Sequence, residues 1–113
     1  MDGPRLEGKI AVVTGGGTGL GRTLVLALAE RGADVAFSYR DSARGAAEAA
    51  DAVRTAGRRA WTSRADARRP GDIGRFVEQA AAEMGGIDLL VNNVGVFRKV
   101  TLADMTEEVL DEA

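Results

Sequence analysis

The run Lys9-Ile10-Ala11-Val12-Val13-Thr14 constrains the fold most: it is apolar and β-branched through its middle, and it stops at three glycines, Gly15 to Gly17. A segment without polar alternation has no face to give to water. It predicts a strand covered on both sides, as in parallel sheets whose crossovers lay helices over each face. The chain then alternates. Leu20 to Arg31 reads as a helix with Leu20, Leu24, Ala27 and Leu28 on one face, widened by Val25, Leu26 and Ala29, and with Gly32 at its C-terminal cap. Asp34 to Tyr39 is a second strand. Asp41 or Ser42 caps a second helix running to Ala56 and ending at Gly57, with a small-residue stripe of Ala46, Ala49, Ala50, Val53 and Ala56.

Arg59 to Ala65 forms a third strand around Trp61 and Thr62. Pro70 and Asp72 open a third helix, whose Ile73, Phe76, Val77, Ala80, Ala81 and Met84 recur at helical spacing until Gly85-Gly86. Ile87 to Val91 is a fourth strand. Strand and helix alternate three times and a strand follows, which implies an α/β domain with a parallel sheet and right-handed crossovers, spanning 1–113 as one unit. Thr106-Glu107-Glu108 has the acids of a helix start, yet Ala113 follows without a stop signal. The expectation is a chain cut after the fourth strand and the start of the next helix.

Composition removes whole classes of chemistry. Fifteen basic and 17 acidic residues leave a net charge of −2, which argues against nucleic acid or an anionic membrane as a partner. There is no Cys and no His, so no disulfide, no thiolate or Ser-His-Asp nucleophile and no Cys/His metal site. No apolar run nears the ~20 residues of a membrane span. The first eight residues lack the basic and apolar regions of a signal peptide, so the cytoplasm is the expected compartment. The arginines at 58, 59, 64, 68 and 69 read as one local, solvated basic patch, with Trp61 too isolated to make a nucleic-acid platform.

Gly15, Gly19 and Gly21 stand at Gly-x-x-x-Gly-x-Gly spacing between the first strand and the first helix. Glycine there lets the backbone turn sharply and approach a pyrophosphate, and the helix N-terminus offers free N–H groups and positive potential. Two other readings stay open: a glycine-rich turn without ligand, and a P-loop in which Gly16 and Gly21-Arg22-Thr23 carry the pattern with Arg22 in the lysine's place. Asn92-Asn93-Val94-Gly95 follows the fourth strand, at the carboxyl edge of the sheet, and reads either as a ligand-side motif or as a plain turn.

With both motifs in place, from Leu6 to Glu108, the sequence resembles the short-chain dehydrogenase/reductase family. It carries that family's Thr-Gly-x-x-x-Gly-x-Gly as Thr14 to Gly21, and a near-match to its Asn-Asn-Ala-Gly with Val94 in place of alanine. The resemblance implies a Rossmann-type doubly wound sheet. It also implies a nicotinamide cofactor site drawing on Gly15, Thr18, Gly19, Leu20, Gly21, Tyr39, Arg40, Asp66, Asn93 and Gly95. Asp66 would accept a hydrogen bond from the adenine amino group, although a helix-capping or loop aspartate reads nearly as well. Hydride transfer to or from a small-molecule carbonyl or alcohol, in a homo-oligomer, is the implied activity of the whole protein.

Cofactor choice turns on the tip of the second strand, Ser38-Tyr39-Arg40. An acid there usually holds a free ribose 2′-hydroxyl, and none is present. Arg40 suits a 2′-phosphate or can stack on adenine, so NADP(H) is expected ahead of NAD(H). Asp41 argues the other way but reads better as a helix cap. The resemblance also implies a Tyr acid with a Lys four residues on, a carbonyl-polarising Ser and a further Asn. Tyr39 is the single tyrosine and Ala43 lies four residues beyond it, so no catalytic residue is assigned within this chain, and it is expected to be inactive alone. A non-catalytic dinucleotide-binding or regulatory module is the alternative.

Overall fold

The computed structural model describes residues 5–17 and 19–93. Thr18, the Val94-Gly95 pair and the expected helix start at Thr106 lie outside them. Four strands and three helices alternate: β1 (Ile10–Thr14), α1 (Gly19–Glu30), β2 (Asp34–Tyr39), α2 (Ala43–Thr55), β3 (Ala60–Arg64), α3 (Asp72–Met84) and β4 (Leu89–Asn92). The strands form one parallel sheet in the order β3-β2-β1-β4. Thr14 lies opposite Asn92, so β1 and β4 end together.

The doubly wound arrangement follows from the side-chain alternation of the central strands. Ala11 and Val13 of β1, with Val35 and Phe37 of β2, point to one face and meet Val25 and Ala29 of α1 and the alanines of α2. Val12 and Ala36 point to the other and meet Phe76, Ala80 and Met84 of α3 together with Leu90. Burial on both sides explains why these strands read as continuous apolar runs. Trp61 of β3 stacks on Phe76 with ring centroids 6.0 Å apart, a contact that adds to the area both rings bury.

Several details differ from the sequence reading. The buried side of α1 is Gly21, Val25 and Ala29, one position around from the expected leucine face; Leu20 is 56% exposed and Ala27 is exposed. The small residues win because close approach to the sheet leaves no room for leucine at those positions. Ser42, not Asp41, caps α2, its Oγ accepting from Gly45 N at 3.1 Å, and Ala56 is exposed past the helix end. The α3 cap is Gly71, with Asp72 rather than Pro70 as the first helical residue.

The arginines do not form one patch, because β3 separates them. At its start Arg59 donates to Asp34 Oδ2 (3.0 Å) and to Met84 O (3.0 Å), while Arg58 donates to Gly32 O (3.1 Å). Arg64 and Arg68 stand at its far end, where Arg68 pairs with Asp66. Arg59 therefore bridges the start of β2 to the last turn of α3, where a cation meets the negative end of the helix dipole.

Phe76 is 2% exposed and fills the α3 side of the sheet. Phe76→Ala leaves a ring-sized void away from the glycine loop and should cost about 3–5 kcal/mol. The urea midpoint should fall accordingly; a loss under about 1 kcal/mol would mean that this layer is not packed as described.

Candidate functional site

The first turn after β1 is built by hydrogen bonds that converge from three strands. Ser38, fully buried in β2, accepts from Gly15 N at its Oγ (2.9 Å) and from Gly16 N at its carbonyl (2.8 Å). The buried Thr14 hydroxyl donates to Asn92 Oδ1 (3.0 Å) and accepts from Asn93 N (2.8 Å), tying the tip of β1 to the tip of β4. Asn93 Nδ2 then donates to Gly15 O (3.1 Å). Buried polar groups of this kind are costly unless paired, and each one here has its partner.

Two glycines are required by this geometry. Gly15 has φ +74°, the left-handed region that side chains disfavour. Gly21 lies so close to the loop that a Cβ on it would sit 1.7 Å from Gly15 O and 2.7 Å from Asn93 Nδ2. The start of α1 is thereby pressed against the loop. Its first turn carries no acidic residue, so nothing on the helix itself offsets the positive end of its dipole.

A cavity of about 670 Å³ opens beside this turn, at the carboxyl edge of the sheet. Gly15, Gly17, Tyr39, Arg40, Asp66 and Asn93 contribute to its wall, as do Asp41, Ser42, Ala65, Ala67 and Arg68. Of the ten residues expected from the sequence, Gly15, Tyr39, Arg40, Asp66 and Asn93 are thus brought to one place. Gly19, Leu20 and Gly21 occupy the first turn of α1 without lining the cavity, and Gly21 reaches it only through Gly15 and Asn93. Thr18 and Gly95 lie outside the described residues. Arg22, the residue a P-loop reading would aim at phosphate, instead donates to Glu48 of α2 (3.1 Å) and does not line the cavity.

The far wall is charged. Arg40 Nε donates to Asp41 Oδ2 at 2.7 Å. Asp66 accepts from Arg68 Nε at Oδ1 (3.0 Å), from Arg68 Nη2 at Oδ2 (2.9 Å) and from Arg68 N at Oδ1 (2.9 Å). The Arg68 guanidinium, then its backbone N–H, hold the Asp66 carboxyl down at about 2. Asp72, at the start of α3, accepts from Asp66 N (2.9 Å) and from Arg75 (2.7 Å), and its carboxyl is also lowered, chiefly by the Asp66 N–H. Sequence reasoning missed Ser38 and Arg68. The signal for Arg68 was its position two residues beyond Asp66 on a loop at the ligand edge; nothing marked the Ser38 hydroxyl.

Comparison with known proteins agrees with this architecture. A family model described as short chain dehydrogenase matches residues 9–113. An uncharacterized oxidoreductase of Mycobacterium tuberculosis is 42% identical over 113 residues, all of this chain and 43% of its own length. A short-chain dehydrogenase/reductase homolog of Bacillus subtilis is 38% identical over 104 residues, covering 89% of this chain and 95% of that protein. Among solved structures, a blue fluorescent protein from a metagenomic library, in complex with NADPH, superposes with a TM-score of 0.78 at 40% identity, over 92% of this chain and 43% of its own. Apart from the Bacillus homolog, the chain spans about two-fifths of the length of the curated relatives it matches, among them a short chain dehydrogenase of Passalora fulva that is 38% identical over 107 residues, 95% of this chain and 40% of that protein.

The lowered aspartates carry a sign for acid stability. Asp66 has an ordinary value near 3.8 and a folded value of about 2, so its contribution is fully present above pH ~4 and is lost as pH falls toward 2. Asp66→Asn should flatten the acid limb of a stability-versus-pH curve between those values. An unchanged limb would show that the Arg68 pair does not persist in solution. Separately, Ser38→Ala leaves the buried Gly15 N–H without its acceptor and should cost about 1–3 kcal/mol in chemical denaturation.

Proposed function

The chain belongs to the short-chain dehydrogenase family, and we propose that residues 1–113 are the dinucleotide-binding portion of an oxidoreductase that moves hydride between NADP(H) and a small-molecule carbonyl or alcohol. The observation that carries this reading is the cavity itself. It lies at the carboxyl edge of a parallel sheet, between a glycine turn and a charged wall, beside the point where α1 leaves to one face and α3 covers the other. Open α/β sheets bind ligands at such edges.

The donor set suits a dinucleotide. Gly15 N and Gly16 N are already engaged by Ser38, so a diphosphate takes its bonds from Gly17 onward and from the first turn of α1, whose amides have no partner within the helix. Tyr39 and Arg40 line the cavity at the tip of β2, and this reading assigns them to the adenosine ribose, with no acid at the strand tip to claim a free 2′-hydroxyl. Asp41 does not take that role either, because it is turned to Arg40. That pair is exposed, 48% and 66%, and exposed pairs add little; a dianionic phosphate displaces the carboxylate from the guanidinium. Bound here, the cofactor supplies the hydride, while the residues of this chain bind it, orient it and fix its 2′-phosphate preference. The acid–base residues of the reaction are not among the 113.

The Bacillus subtilis homolog, nearly all of which this chain spans, favours a second reading: a dinucleotide-binding module with no turnover of its own. A Ser and a Tyr-x-x-x-Lys found downstream of Ala113 in the gene would decide for the enzyme, and their absence for the module.

Fluorescence titration should show NADPH bound more tightly than NADH, with Arg40→Ala narrowing the gap by ~1–3 kcal/mol, the worth of a charge-assisted contact. Equal affinities in the unmutated chain would sink the preference. The purified 113-residue chain should bind without oxidising the cofactor in the presence of a carbonyl substrate; steady hydride transfer would refute the assignment of its chemistry to other residues.

A further inference from the structure

Strand β1 stops at Thr14, and glycine alone does not fix the way it stops. Along a strand the N–H and C=O of one residue point to the same neighbouring strand. Gly15 departs from this. Its N–H goes to Ser38 Oγ on β2 (2.9 Å), while its carbonyl goes the other way, to Asn93 Nδ2 just past the tip of β4 (3.1 Å). The reversal accompanies φ +74° at this residue. The Gly16 N–H then goes to Ser38 O (2.8 Å). One residue of β2 therefore takes two successive amides of the turn, where the amides of a continuing strand would alternate sides.

Glycine takes either sign of φ about equally, so the partners of Gly15 have to choose between them. Asn93 holds the carbonyl and the Ser38 hydroxyl holds the amide. Ser38 is fully buried and does not line the cavity, whereas Gly15 and Gly17 do. Gly16, between them, packs so closely on β2 that a Cβ on it would stand 2.6 Å from Phe37 Cβ. A hydroxyl in an apolar strand is costly unless bonded, and the bond made here goes to the turn. We infer that Ser38 is a positioning residue for a diphosphate: acting through Gly15, its hydroxyl holds the turn in the reversed form that presents Gly17 N–H as the first amide not taken by β2. The inference rests on the nucleotide reading of the cavity given above. It adds a residue that the glycine spacing does not mark and that the ligand does not touch. Without the hydroxyl, part of the population turns Gly15 the other way, and only groups bonded by the turn lose affinity.

The test titrates the native chain and Ser38→Ala with NADPH, NADH and adenosine 2′-monophosphate, which has no diphosphate. The substitution should weaken NADPH and NADH alike, about three- to tenfold, and leave adenosine 2′-monophosphate within about twofold, as expected for one lost hydrogen bond felt only at the turn. A merely structural loss weakens all three together, and that result overturns the inference, as does unchanged binding of both dinucleotides. Because the variant also loses stability, amide hydrogen exchange on the native chain gives a second measurement. Gly15 N–H should be protected without ligand and gain nothing from NADPH, while Gly17 N–H gains protection only when NADPH is present. Fast exchange at Gly15 in the ligand-free chain overturns the positioning role and leaves the nucleotide site standing. Failure of all three ligands to bind the native chain overturns the nucleotide reading and this inference with it.

Discussion

The Thr14 hydroxyl holds the ends of β1 and β4 together, and everything at the ligand edge is arranged around that junction. It gives its proton to Asn92 and takes one from the Asn93 amide. This leaves the Asn93 side chain free to brace the carbonyl of Gly15. Because that carbonyl is braced, α1 can begin almost on top of it, at the distance only Gly21 allows. The turn, the helix start and the cavity wall are consequences of one buried hydroxyl with both its bonding roles filled.

The layers were legible in the sequence because both faces of the central strands are buried. Strand β2 falls on Asp34–Tyr39 as read, and the six spaced residues of α3 all lie on its inner or flanking side. The errors share a cause. Periodicity locates a helix and its general stripe, but not which of two adjacent rows touches the sheet. In α1 that choice was made by the close approach at Gly21, which turned Val25 and Ala29 inward and left Leu20 outside. The cap of α2 was ambiguous between two neighbouring capping residues, and the side-chain bond to Gly45 decided for Ser42. The arginines looked like a patch because they are near in sequence; a strand of five residues carries them to opposite ends.

At the site, the glycine spacing and the paired asparagines were enough to bring half of the expected residues to one cavity. What they could not show was the pairing within it. Asp66 was visible as an acid after a strand, but its engagement by Arg68 depends on how the loop between β3 and α3 folds back, and that in turn on Asp72 holding the Asp66 amide. Ser38 was unremarkable as a residue of an apolar strand. Its importance comes from its register: it stands where two loop amides need acceptors.

The bridge from Arg59 to Asp34 and the end of α3 sits at the opposite rim from all of this. It fastens a helix to the sheet at the amino ends of the strands, whereas the carboxyl ends of β1 and β4 are joined by the Thr14 junction. The anchor of α3 and the ligand edge therefore share no hydrogen bond, and a substitution that frees α3 at this rim leaves the bonds of the glycine turn untouched.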